Sequence, residues 1–450
     1  MLNGEWRGSS FFRGEGRAVL SADYADDADF FGGQGEGNYC RPQCPLRAFS
    51  RAAMHGSLDH TSQYSVIRGK CHLRQVPFAV SMQWRRADNG LYCNYRLDRS
   101  PGFKKDGAQK EADRVVENIV FPEIVNIKQK KGTKAMLGCD LIALLEQAGR
   151  RYHVVGDERN GVLAALDVEG RLFAIQDGKV RNRVNVEALC GISTREGYLN
   201  PGGDGFWPAP EGSRLGYEYS TDGWRVPPGL TNARWQVKKC SETSALMSAE
   251  VDLINALGIG LPCLFSRGVL VSTSGRTMTV KVIESIAYLG TREYDSTQCL
   301  LAPWTLCQFD CGPDCELRIT PVTADDIWDL YDRDSSSLRR QEGETTIVSM
   351  QTDFRFQLGL SPQVKELVFV DRGRGFQARR TALPLTPGLE YIDIADRDPG
   401  VAPTGRPVSL SAYCDPSGFM EIEAAGGAPS ALLPGAVTSL TVITECQAGL

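Results

Sequence analysis

Residues 277–290 read TMTVKVIESIAYLG. Apolar side chains alternate with polar or small ones along this stretch. That period of two belongs to a strand with one buried face and not to a helix. The pattern recurs on both sides of it. Short runs such as YHVVGD, NGVLAALDVEG, RLFAIQDG, WQVKKCSE, CELRITPV, TTIVSM, FRFQLGL, KELVFVDRG, RPVSLSAYCD, FMEIEAAG and VTSLTVITE follow one another, separated by Gly, Asp and Pro turns. MSAEVDLINALG is open to helix or strand. More than ten short strands without alternating helices predict a large antiparallel β-sandwich, not a doubly wound α/β fold.

The pattern holds only from about Met136 onward. CDLIALLEQAGRR (139–151) has helical spacing and ends in a basic pair, as a helix C-terminus prefers. Upstream, pieces such as AVLSA and VPFAVSMQW stand among Gly, Arg and Asp clusters, with no sustained period. ADRVVENIVFPEIVNI (112–127) is the most ordered-looking part, and KQKKGTK (128–134) reads as a basic linker. Two domains are expected: an irregular, weakly ordered extension over 1–135 and a β-sandwich over 136–450. On one reading, Met136 is the natural start and the upstream segment is an over-extended gene model. On the other, the extension is genuine.

The charge divides the same way. Residues 1–135 hold 21 Lys and Arg against 15 Asp and Glu, and the remainder holds 29 against 40. The whole chain of 450 residues carries −5, which argues against nucleic acid as a partner. No run of 18 apolar residues offers a membrane span, and the first residues make a poor signal peptide, so a cytoplasmic protein is expected. The 14 cysteines are spread widely and read as reduced thiols. CQFDCGPDC (307–315) and CRPQC (40–44) lack the paired spacing and fourth ligand of a zinc site, so no metal and no cofactor is expected. GGQGEG (32–37) lacks the flanking strand and helix of a nucleotide loop. DRDSSSLRRQEGE (332–344) reads as an exposed loop.

The chemistry concentrates in STREGYLNPGGDGFWPAPEGSRLGYEYSTDGWRVPPGL (193–230). Dense Gly and Pro argue against a regular element there. Aromatic, acidic and guanidinium side chains together suit a sugar site: rings cover the C–H face of a pyranose, charged groups hydrogen-bond the hydroxyls, and Gly lets the backbone come close.

NPGGDGFWPAPEG (200–212) resembles the Gly-Gly-Asp-x-x-Trp-x-x-Pro-Glu loop of galactose-mutarotase-like proteins. GFMEIEAAGGAPSALLPGAVTSLTV (418–442) is similar to the closing segment of that group, and LLAPWTLCQFD (300–310) to its central Trp-bearing strand. The resemblance implies a twisted sandwich with a concave sugar-binding face. Aldose epimerases of that superfamily use a His acid and a Glu base, yet the second domain has only His153, so the reaction is not carried over.

The ligand-binding candidates are Arg195, Asp204, Trp207, Glu211, Trp224, Arg225 and His153, with Glu211 and Glu421 as candidate catalytic carboxylates. Each has a structural reading beside the functional one. Trp207 could pin its loop, Asp204 could cap a turn, Glu211 and Arg195 could pair with each other, and Trp224 and Arg225 could serve the turn. His153 could be a strand histidine. Glu421 and Glu423 share a parity and should face one way. Three functions follow: a protein binding a sugar or oligosaccharide, a carbohydrate-active enzyme (epimerase, hydrolase or lyase) using paired carboxylates, or a scaffold with a decayed site.

Overall fold

The computed structural model describes the strands at 67–71, 78–87 and 90–99 and residues 135–450, except 196, 222, 321, 322 and 450. The chain divides into two units, Met1–Pro122 and Glu123–Leu450. In the first, Ile67–Cys71, Phe78–Ala87 and Gly90–Arg99 form an antiparallel three-stranded sheet, which the weak sequence pattern does not predict. The segments 32–37, 40–44 and 112–134 lie outside the described residues.

The second unit is built on two ten-stranded sheets whose strand pairs are antiparallel. The first sheet is centred on Thr277–Tyr288, flanked by Gly260–Ser274 and Val437–Ala448. The second runs through Ile327–Asp329, Phe356–Leu360, Leu410–Asp415, Phe419–Ala425, Ala302–Asp310, Asp204–Ala209 and Arg171–Gln176, then to Gly161–Ala165 and Tyr152–Gly156. No helix among the described residues is long and apolar enough to cross a membrane.

The alternation in 277–290 becomes an alternation of burial. Met278, Val280, Val282, Glu284, Ile286 and Tyr288 turn inward, and the residues between them are half-buried. The inward face packs in the main core with Phe206, Trp235, Phe265 and Phe309. MSAEVDLI is strand, within Ser244–Ile254. The 139–151 stretch forms the helix Gly138–Gln147, which packs Leu141 and Leu145 on Leu163, Phe173 and Ile175 in a second cluster. The basic pair lies beyond its end. Arg151 salt-bridges Asp167 at 2.6 Å, and Arg150 hydrogen-bonds the carbonyl of Leu189.

One inward residue is a carboxylate. Glu284 stands directly opposite Arg267, with the charged groups 2.7 Å apart and both side chains fully buried. Arg267 also donates to the carbonyls of Gly170 and Asp204 at 2.9 and 3.0 Å. Asp204 joins from the other sheet: it accepts from Arg380 at 2.9 Å and from the Thr305 hydroxyl at 2.6 Å. Two guanidinium groups and two carboxylates thus tie the sheets together. Burial pushes the Asp204 carboxyl up, but Arg380 and Arg267 outweigh it and hold the group below its usual range.

Two expectations need correction. DGFWPA is a regular strand, wholly buried, although it is Gly- and Pro-rich. It pairs with Ala302–Asp310 along its length, but with Arg171–Gln176 only at Asp204. Pro208 therefore sits where one side has no ladder to break. The 332–344 segment is not simply loop: it holds the short 3-10 helix Ser336–Leu338 and the edge strand Arg339–Glu342. Asp329, salt-bridged to Arg339 at 2.7 Å and accepting from the buried Ser335 hydroxyl at 2.6 Å, pins it down.

Candidate functional site

Because side chains alternate along a strand, the face of the second sheet opposite the ion network can be read from register. One row across it is Trp328, Gly359, Ser411, Glu423, Leu306 and Gly205. The next is Gln357, Tyr413, Glu421 and Gln308. On the other side of the first row, Trp304 stands between Trp207 and Ala425. Two carboxyls, two amides and three indoles therefore share one patch of sheet.

Two glycines keep its ends flat. A Cβ on Gly205 would lie 2.7 Å from the guanidinium carbon of Arg171, and one on Gly359 would lie 2.7 Å from the Trp328 ring. Both side chains can thus lie down on the sheet. Arg171 is fully buried, salt-bridged to Glu169 at 2.8 Å, and donates to the Tyr198 hydroxyl at 2.7 Å. Its guanidinium carbon is 5.8 Å from the Trp207 ring centroid.

Glu421 and Glu423 are hydrogen-bonded to each other, a contact that raises the first carboxyl and lowers the second. Gln308 donates to Glu421 at 2.5 Å. The Trp304 indole N–H donates to Glu423 at 3.1 Å and the Gln357 amide at 3.0 Å. Burial and the neighbouring Glu423 charge drive the Glu421 carboxyl well above its usual range. Burial also lifts Glu423, while hydrogen bonds from Ser411, Glu421 and Gln357 pull it back to about 7.

The 193–230 stretch supplies the surrounding groups. Glu211 is buried and accepts from the Trp224 indole N–H at 2.9 Å. Burial and the Asp396 charge push it to about 8, against the Trp224 bond, with a further push from Glu421. Tyr198 stands edge-on between Trp207 and Trp224, at 6.1 and 6.2 Å. Trp224 is 41% exposed.

The sequence candidates fall into two groups. Trp207, Glu211, Trp224 and Glu421 come together. Asp204 does not join them: it is one residue out of phase with Gly205 and Trp207, so it points into the ion network. His153 lies on the edge strand Tyr152–Gly156, opposite Ala164 of the main core, where burial lowers its pKa and keeps it neutral. Arg195 is exposed and makes no ion pair with Glu211, whose partner is Trp224. Arg225 is half-buried and contributes a backbone N–H to the Glu218 carbonyl at 2.8 Å. The site also recruits Arg171, Tyr198, Trp304, Gln308, Gln357 and Glu423. The shared parity of Glu421 and Glu423 and the Trp-bearing stretch 300–310 are the sequence signals for this set, because partners across strands depend on register.

Among the described residues no group of His, Cys, Asp and Glu could hold a metal ion. Cys307, Cys311 and Cys315 are free thiols.

The raised carboxyls set a pH dependence. Glu211, Glu284 and Glu423 hold protons in the fold that the unfolded chain releases above about pH 4.5. Where the folded state binds more protons, stability falls as pH rises. Glu218 and Glu421 are raised as well, and His153 acts oppositely below about pH 6.5, one group against five. The melting temperature should therefore fall between pH 5 and 8; calorimetry showing a flat or rising profile would contradict these protonation states.

No family model and no curated protein matches the chain. Solved structures, galactose mutarotase-like proteins among them, are similar to it. Slr1438 from Synechocystis sp. PCC 6803 is 14% identical with a TM-score of 0.43, the match covering 66% of this chain and 96% of that one. A galactose mutarotase-like protein from Lactobacillus casei ATCC 334 is 10% identical with a TM-score of 0.43, covering 66% and 100%. A putative mutarotase (YeaD) from Salmonella typhimurium is 10% identical with a TM-score of 0.39, covering 66% and 91%.

Proposed function

We propose that the Trp207–Trp304–Glu423 face binds a sugar and that the Glu421–Glu423 pair exchanges a proton with it. The observation that carries this reading is the pair itself: two adjacent buried carboxyls, both raised, held by Trp304, Gln308 and Gln357 beside the Trp207 and Trp304 indoles. A proton donor and acceptor poised near neutrality is what general acid–base chemistry on a hydroxyl or ring oxygen needs. Glu421 would donate to one sugar oxygen while Glu423 takes a proton from another, and the reverse transfer restores both. Of the carbohydrate-active readings, this favours an isomerase-type proton transfer through carboxylates, without a histidine. Recognition without turnover is the second reading, supported by the burial of both carboxyls.

Two measurements test it. Trp207→Ala should weaken sugar binding more than about tenfold with the fold retained, since an aromatic platform supplies much of the contact. Unchanged affinity by calorimetry would remove Trp207 from the site. Polarimetry of freshly dissolved α-hexoses should show anomers interconverting faster with the protein than without. A rate equal to the uncatalysed one would leave recognition alone.

A further inference from the structure

Resting on the sugar-site reading, we infer that the preferred ligand carries a protonated amine: an amino sugar rather than a neutral or acidic one. The argument begins with charge. Glu211, Glu421 and Glu423 lie within electrostatic reach of one another, and Glu211 reaches on to Glu218 and Asp396. Against these five carboxyls stand two guanidinium groups. Arg171 is already salt-bridged to Glu169. Arg355 is exposed, lies over the Tyr331 ring at 4.8 Å, and offsets part of the charge of Glu211 and Asp396. With so little positive charge facing them, Glu211, Glu218, Glu421 and Glu423 all sit above the usual carboxyl range.

The second observation is independent of charge. Around the site five buried polar atoms have no well-formed hydrogen bond, and four of them are oxygens. On the sheet face these are the Gln308 and Gln357 carbonyl oxygens, against one donor, the Trp207 indole N–H. Beside Glu211, neither carboxyl oxygen of the fully buried Glu218 has a well-formed hydrogen bond, the backbone N–H groups of Tyr217 and Glu218 being its nearest donors. A ligand that completes the set must bring more donors than acceptors. An ammonium brings three N–H donors and the missing charge together, whereas a carboxylate or phosphate brings only acceptors and like charge. The Tyr198 and Trp224 rings add faces that attract a cation.

The test is calorimetry on the full chain at pH 7 with D-glucosamine, D-glucose and D-glucuronate. Glucosamine should bind at least about tenfold tighter than glucose, because charge-assisted hydrogen bonds are the strong ones, and glucuronate weakest. Its binding should release protons as the carboxyls ionise, read from the change of heat with buffer. Glu211→Gln should narrow the gap between glucosamine and glucose. Glucose binding as tightly as glucosamine, or glucosamine binding without proton release, overturns the amine inference and leaves the sugar site standing. If none of the three binds, the sugar-site reading falls, and the inference with it.

Discussion

Asp204→Ala should lower the stability of the second unit by about 3–5 kcal/mol, the cost of removing one partner from a buried ion pair. Arg380 is fully buried and loses its carboxylate partner, keeping only the hydroxyls of Thr305 and Thr444. Arg267 keeps Glu284 but loses the second carboxylate, whose oxygen lies 3.7 Å away. Two buried cations would then share one carboxylate, and Glu284 would have to ionise more fully to balance them. Asp204→Asn keeps the shape and the Thr305 contact but not the charge, and should fall between wild type and Ala. Chemical denaturation of all three proteins checks this. An Ala variant as stable as the parent would mean the network does not bind the sheets together.

Glu423→Gln should abolish proton transfer while preserving the site. The amide is close in shape and its carbonyl can still accept from Trp304 and Gln357, so the floor survives. It cannot take a proton, and Glu421 loses the anion to which it is bonded. General acid–base contributions of this kind are worth about 10²–10⁴-fold. The expected result is a loss of catalysed anomer interconversion of at least about 100-fold, with the melting temperature at pH 5 close to that of the parent. Unchanged turnover would exclude Glu423 as the base. A variant that loses sugar affinity as well would assign Glu423 to recognition instead.

Much of the sandwich is legible in the sequence, because alternation is local. Met278, Val280, Val282 and Ile286 declare a face by spacing alone, and their strand is central to its sheet. DGFWPA misleads for an equally physical reason. Gly and Pro disfavour a strand locally, yet long pairing with Ala302–Asp310 outweighs that preference. The composition of 193–230 singles out Trp207, Glu211 and Trp224, and the fold gathers them near Glu421. Asp204 was legible as an important acid but not as an interior one. Its partners Arg380 and Arg267 are 176 and 63 residues away, and nothing near it in the chain hints at them.

The sequence by itself determined the period of the strands, the loop rich in aromatic and acidic groups, and the shared parity of Glu421 and Glu423. Those are properties of neighbours within one strand or loop. Only the tertiary structure decided that Glu423 faces Leu306 on one side and Ser411 on the other, that Trp304 and Gln357 hold it, and that Asp204 turns to the opposite face. Register between distant strands sets each of these, and a shift of one residue would exchange the carboxyl pair for the core side chains between them.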